Sequence, residues 1–436
     1  MYDARWLELD RISTIDWTIL GCGALAFIVF WCFDYRRWGA LSFAAYLFGF
    51  NYFLKIIVMF PFAWSENNVV ATGNFFGAIL EHLDLALYLT ATGTASMLFG
   101  MVVGGLMLTK PPVLCTFVYR SVVEGWCGSG AAAVSFAIVI GLTLLLFALG
   151  FQPFVARSLV FERPELRPFY NLWSQMVPLC SAGLAVYGAG WGKPKVLALG
   201  IGVALLGIVG GNRTVAILTL IQVAVIVGMP RRFKNLFVVV GGALALGTAA
   251  VFTSLLRDSG HGGRSALGTF FFGNELSDMR DFAWILTGLD DHQWLWGKSY
   301  IAGYLSFIPT FAFPFRETYG FGRVSPLLAG LDPMHHSGLR PPIFGEMYVN
   351  FGLTGLIVGG MIYGWAVGRI IRWISESLRQ PVEERPVPEA VVWSGFLMLQ
   401  IIDAFAFTPA FFGVYVVLGW LLLGRLIAQL GRRLAS

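Results

Sequence analysis

Apolar stretches separated by short polar connectors run through most of this chain, and several are long enough to cross the hydrocarbon core of a bilayer, roughly 17 to 25 residues each. They cover Ile15 to Phe33, Leu41 to Phe60, Leu83 to Leu108, Ala131 to Phe151, Leu172 to Gly190 and Val196 to Gly211. Val215 to Met229, Leu236 to Leu255, Phe344 to Ile371, Ala390 to Phe407 and Phe411 to Leu430 follow. The pattern predicts an all-α, polytopic membrane protein of about eleven transmembrane helices. The chain, residues 1–436, reads as one integral membrane domain, with a large loop over 256–343 inserted between the eighth and ninth spans.

That loop is rich in Trp, Phe, Tyr, Gly and Pro, a composition that favours folding against the membrane face over disorder. From Glu275 to Leu289, Leu276, Met279, Ala283 and Leu286 recur at helical spacing opposite Asp278 and Asp281, which predicts an interfacial amphipathic helix. Ile301 to Phe315 is apolar but broken by Pro309 and Pro314, too short to span, and reads as a re-entrant or surface-lying element.

Composition agrees with a lipid solvent: 57% of residues are hydrophobic and 13% charged, against roughly 25% charged in soluble domains. Met1 to Thr14 carries both signs of charge and no small-residue cleavage site follows, so it does not read as a removable signal peptide. Cys22, Cys32 and Cys180 fall in apolar spans and Cys115 and Cys127 in one connecting loop, a spacing that fits no metal or haem pattern and argues against structural disulfides.

The net charge of +5 is dispersed in single and paired basic residues, unlike the stripe that nucleic acid would require. With the N-terminus outside, 16 of the 30 Lys and Arg fall in cytoplasmic loops, while the connection Pro61 to His82 and the turn at Pro409 hold none. This satisfies the positive-inside rule and places 256–343 outside the cytoplasm. Basic residues still recur on that outer face: Arg213 in a Gly-Gly-Asn-Arg turn, and Arg264, Arg280, Lys298, Arg316 and Arg340 in the large loop. A planar guanidinium matches phosphate oxygens two at a time, and the match strengthens near lipid, so an anionic partner such as a pyrophosphate is the reading.

Transfer of a sugar from a lipid pyrophosphate would also need a base for the attacking hydroxyl. Glu346, Asp332, His335 and His336 are the outer-face candidates. Each has a plain alternative: Arg213 as a snorkelling residue, the histidines as a solvated turn, and Glu346 as a partner of its helix dipole. Lys55, about one and a half turns inside its span, reads as snorkelling. Asp403 poses the question of an intramembrane carboxylate that marks a site or lies near the surface. Phe270 to Phe272 and Trp294/Trp296 read as an interfacial aromatic belt.

Gly297-Lys-Ser-Tyr300, Ile308-Pro309 and Gly345-Glu346-Met-Tyr348-Val-Asn350-Phe-Gly352 together resemble the Wzy-type oligosaccharide repeat-unit polymerases of O-antigen and capsule synthesis. The resemblance covers the second half of the loop and the following span, and it departs after Pro309, ahead of Arg316. It implies a glycosyltransferase that needs no cofactor or metal. Donor and acceptor would both be undecaprenyl-pyrophosphate-linked oligosaccharide, joined on the periplasmic side of a bacterial inner membrane, with the bilayer and a chain-length regulator as further partners. It carries Lys298, Tyr300, Glu346, Tyr348 and Asn350 into the candidate site. The rivals are a lipid-linked oligosaccharide flippase, which would place its cations in a central cavity, and an O-antigen ligase-like transferase, which differs only in acceptor.

Overall fold

A computed structural model describes residues 7–38, 49–106, 113–151, 163, 165–209, 213–229, 272, 277–289, 294–333, 338–380 and 387–435. Its elements in order are α1 (Thr14–Trp38), a π-wound helix (Gly49–Val58), single helical turns up to residue 75, α2 (Phe76–Leu106), α3 (Val113–Trp126), α4 (Ser129–Ala148), α5 (Arg167–Gly190), α6 (Pro194–Val209) and α7 (Arg213–Gly228). Then come α8 (Asp278–Leu286), α9 (Lys298–Tyr304), α10 (Phe315–Tyr319), α11 (Phe321–Leu328), α12 (Ile343–Arg379), α13 (Pro388–Ala406) and α14 (Phe412–Ala435). Among the described residues there is no strand, so the fold is all-α.

Five helical segments are long and apolar enough to cross a membrane: Gly73–Leu106, Ser129–Ala148, Ile343–Arg379, Pro388–Ala406 and Thr408–Leu430. Thr14–Val29, Pro194–Gly207 and Thr219–Gly228 are shorter apolar helices. The expected eighth span, Leu236 to Leu255, lies outside the described residues. Cys115 does not occupy a loop, because Val113–Trp126 is helical and buries Cys115, Val118, Val122 and Trp126 at helical spacing. This helix is anchored on α14, where the Trp126 and Trp420 rings stack at 4.0 Å and the Trp126 indole N–H donates to the Trp420 carbonyl at 3.0 Å.

The most extensive helix contact joins α2 and α12. Glycine makes it close: a Cβ added at Gly100 would stand 2.1 Å from the Met361 carbonyl oxygen, and one at Gly364 only 1.9 Å from that of Met97. Small residues of this kind let helix backbones touch, which maximises dispersion contact where lipid offers no hydrophobic drive. At the far end of the seam, the Arg372 guanidinium donates to the carbonyls of Gly105 and Leu106 (2.7 and 3.1 Å), satisfying the last turn of α2 with a cation.

Within α12, Gly352 adopts φ 62°, ψ −154°, a conformation open to glycine, and the helix breaks there. Positions twelve apart in an unbroken helix stand about 18 Å apart. The Met347 sulfur nevertheless comes against Gly359, within 2.7 Å of where a Cβ would be, so the chain reverses. The expected ninth span, Phe344 to Ile371, thus falls within the Ile343–Arg379 segment, with one difference: residues 343–351 are a short arm folded back along the helix that starts after Gly352.

The predicted amphipathic helix forms over Asp278–Leu286, but neither of its faces is left open. Met279 through Leu286 are all buried, with α2 on one side and α11 on another, so both faces find protein. Ile301 to Phe315 contains α9 and a proline-broken turn whose apolar side chains remain outward, Phe307 at 64% and Phe311 at 90% exposure.

Candidate functional site

The two motifs meet at the folded-back arm. Breaking a helix frees carbonyls, and here the Leu295 and Trp296 N–H groups donate to Val349 O (3.2 Å) and Asn350 O (3.0 Å). Trp296 and Gly297 take positive φ (49° and 81°) to bring that strand of chain across, and the Trp294 ring covers Gly352. The Gly297 N–H donates to Asn350 Oδ1 at 3.0 Å, and Asn350 Nδ2 donates to Ser299 Oγ at 2.8 Å and to the Glu346 carbonyl at 2.8 Å.

Glu346 is the centre of this knot. Its Oε1 accepts from the Ser299 hydroxyl (2.6 Å) and the Thr408 hydroxyl (2.6 Å), and its Oε2 from the Thr408 N–H (2.8 Å). Exposure is 0%. Its three donors make this carboxylate a tie between α12, α9 and the turn Thr408–Ala410. Tyr348 is likewise engaged, edge-on to Trp294 and Phe282. The Tyr300 hydroxyl donates to Ala406 O (3.4 Å) and that of Tyr304 to Phe405 O (2.6 Å), seating α9 on the end of α13. Burial first, then the Glu346 charge, raise both phenols, Tyr304 to about 12, so both stay protonated donors at neutral pH.

The expected anion-binding residues divide. Lys298 and Arg316 are exposed and sit on contacting short helices, forming a ledge: the Lys298 ammonium lies 4.8 Å from the Tyr319 ring, and Arg316 Nη1 donates to Ser306 O at 2.8 Å. Arg340 has an exposed side chain, while its N–H donates to Asp281 Oδ2 at 3.1 Å. Arg280 is corrected: it is 4% exposed and donates to Asn68 Oδ1 (3.1 Å), Phe272 O (3.3 Å) and Asp281 Oδ1 (3.3 Å). It joins α8 to the 60s segment instead of facing the outer medium. Burial raises the Asp281 carboxyl, an effect that Arg280 and the Arg340 N–H offset. Arg264, His335 and His336 lie outside the described residues, and of Arg213 only the backbone, at the start of α7, is described.

A second polar group was underread. Lys55 does not snorkel; its ammonium pairs with Asp278 Oδ2 of α8 at 3.0 Å. It also lies within electrostatic reach of Asp403, whose Oδ1 accepts from the Tyr363 hydroxyl at 2.5 Å. The place of Lys55 and Asp403 within apolar stretches of sequence was the signal, but their partners are 223 and 40 residues away in sequence. Ser299 and Thr408, the donors to Glu346, carried no signal of their own. Among the described residues no group of three or more His, Cys, Asp and Glu could hold a metal ion. Comparison of the chain with known protein families, curated proteins and solved structures gives no match.

Proposed function

We propose that this protein is a glycosyltransferase that polymerises undecaprenyl-pyrophosphate-linked repeat units on the periplasmic face of the bacterial inner membrane. The observation that supports the reading is convergence. The two motifs that resemble the Wzy-type polymerases, some fifty residues apart, are joined by the Gly297–Asn350 and Ser299–Glu346 hydrogen bonds. Beside them Lys298 and Arg316 stand exposed, as a diphosphate leaving group would require for stabilisation in the transition state.

In this reading the chain crosses the membrane about eleven times, with the N-terminus outside and residues 256–343 periplasmic. A glycan grown on one carrier lipid is moved to the sugar of the next, and the lipid diphosphate departs into the cationic ledge. The exposure of Lys298 and Arg316 on contacting short helices supports surface chemistry over a cation-lined central cavity. Deletion of the gene tests the proposal: a polymerase defect leaves single repeats on the final acceptor. Unchanged glycan chain length ends it, and polymer stranded on its lipid carrier would point to the ligase.

A further inference from the structure

Where the oxygens of Glu346 are taken up by donors, Asp403 is a carboxylate with the surroundings of a base. Asp403 lies on α13, one turn before the Phe405 and Ala406 carbonyls on which Tyr304 and Tyr300 rest. Tyr363 of α12 donates to Oδ1, and Tyr52 and Lys55 of the π-wound helix face it. Oδ2 has no hydrogen-bond partner among the described residues, and Asp403 is half-buried where Glu346 is closed off. An ionisable group in a membrane span is costly unless function retains it. Here a carboxylate is oriented on one oxygen, faced by a cation and open on the other oxygen, the arrangement a positioned proton acceptor needs.

We propose that Asp403 is the base that accepts the proton of the attacking sugar hydroxyl, with Tyr363 and Lys55 as its positioning residues. This rests on the polymerase reading. In the step, the acceptor oxygen bonds to the anomeric carbon of the donor glycan and its proton passes to Asp403 Oδ2. The bond from that carbon to the diphosphate oxygen breaks, and the electron pair leaves on the lipid diphosphate. Lys298, on the helix that rests on the end of α13, and Arg316 on the helix beside it receive that charge. Lys55, already paired with Asp278, brings its cation towards the carboxylate and is itself kept in place by α8.

The test uses the full chain, expressed in a strain lacking its gene, with membrane vesicles from that strain supplying the native lipid-linked repeat. Chain growth is followed by gel ladder, and folded protein by thermal midpoint in detergent. Asp403→Asn is expected to slow growth by about 10²-fold or more with an unaltered midpoint, since general base catalysis contributes on that order. Asp403→Glu is expected to restore part of the rate. Added formate is expected to raise the rate of Asp403→Ala, an effect a purely structural role would not produce. Growth by Asp403→Asn within about twofold of wild type overturns the assignment, since a lost base should cost far more. So does a loss that follows the midpoint and that neither formate nor glutamate relieves. If wild-type protein itself fails to restore chain growth, the polymerase reading falls and takes this inference with it, so the two failures are distinct.

Discussion

Two carboxylates a short way apart on neighbouring helices have opposite circumstances. Glu346 on the folded-back arm is fully buried, and its two oxygens take three donors from Ser299 and Thr408. Asp403 takes one hydroxyl from Tyr363, faces Lys55 and is only half-buried. A buried carboxylate saturated by donors holds chain segments in place, since any departure leaves those donors unmet at about 1–3 kcal/mol each. A half-satisfied one retains capacity to accept a proton. Motif membership therefore does not select between the base and its scaffold, whereas the state of each oxygen does.

The sharpest way to break the contrast is Glu346→Ala, which strands the Ser299 and Thr408 donors. A loss of about 3–5 kcal/mol in stability is expected, seen as reduced folded yield and a lowered thermal midpoint, with activity falling in step. Asp403→Asn should behave oppositely, with a midpoint near wild type and chain growth lost by about 10²-fold. Equal midpoints for the two variants would remove the distinction. Gly352→Ala forces a side chain into positive φ at the reversal and should cost about 1–2 kcal/mol, with activity per folded molecule retained, since the strain lies in the arm and not at Asp403. Lys55→Met should weaken the tie to Asp278 by about 1 kcal/mol, because the pair is partly exposed, and reduce the rate more than the midpoint. The smallest effect belongs to Phe311→Ser on the outward turn, within about 0.5 kcal/mol by thermal midpoint. A larger shift there would show that the turn is held against protein.

Much of the helical plan was legible because long apolar runs mark helices whether their sides meet lipid or protein, and the helices from α4 to α7 begin within a few residues of the apolar windows. Val113–Trp126 escaped because its 14 residues are too few for a span and its polar positions resemble a connector. The reversal at Gly352 escaped for a different reason: in a stretch rich in glycine, one residue with φ 62° looks like another small contact residue. Charge type and position were readable for Lys298 and Arg316, but exposure was not. Arg280 looked equivalent to them until Asn68, 212 residues away, proved to be its partner. The motif residues were named from the sequence, whereas the division of labour among them depends on Thr408, 62 residues beyond Glu346.

The glycine seam between α2 and α12 bears on the transport alternative. Carbonyl oxygens of each helix sit in hollows left by missing side chains on the other, at Gly100, Gly104, Gly364 and Gly368. Neither helix can be displaced along its partner without oxygen meeting oxygen or a methylene, so the pair behaves as a single mast rooted across the bilayer. The arm carrying Glu346 is folded onto that mast, which holds the segments tied to it in place. A machine that rocks to carry headgroups inward to outward would have to hinge elsewhere, whereas a workbench on which two lipid-borne glycans are joined benefits from standing still.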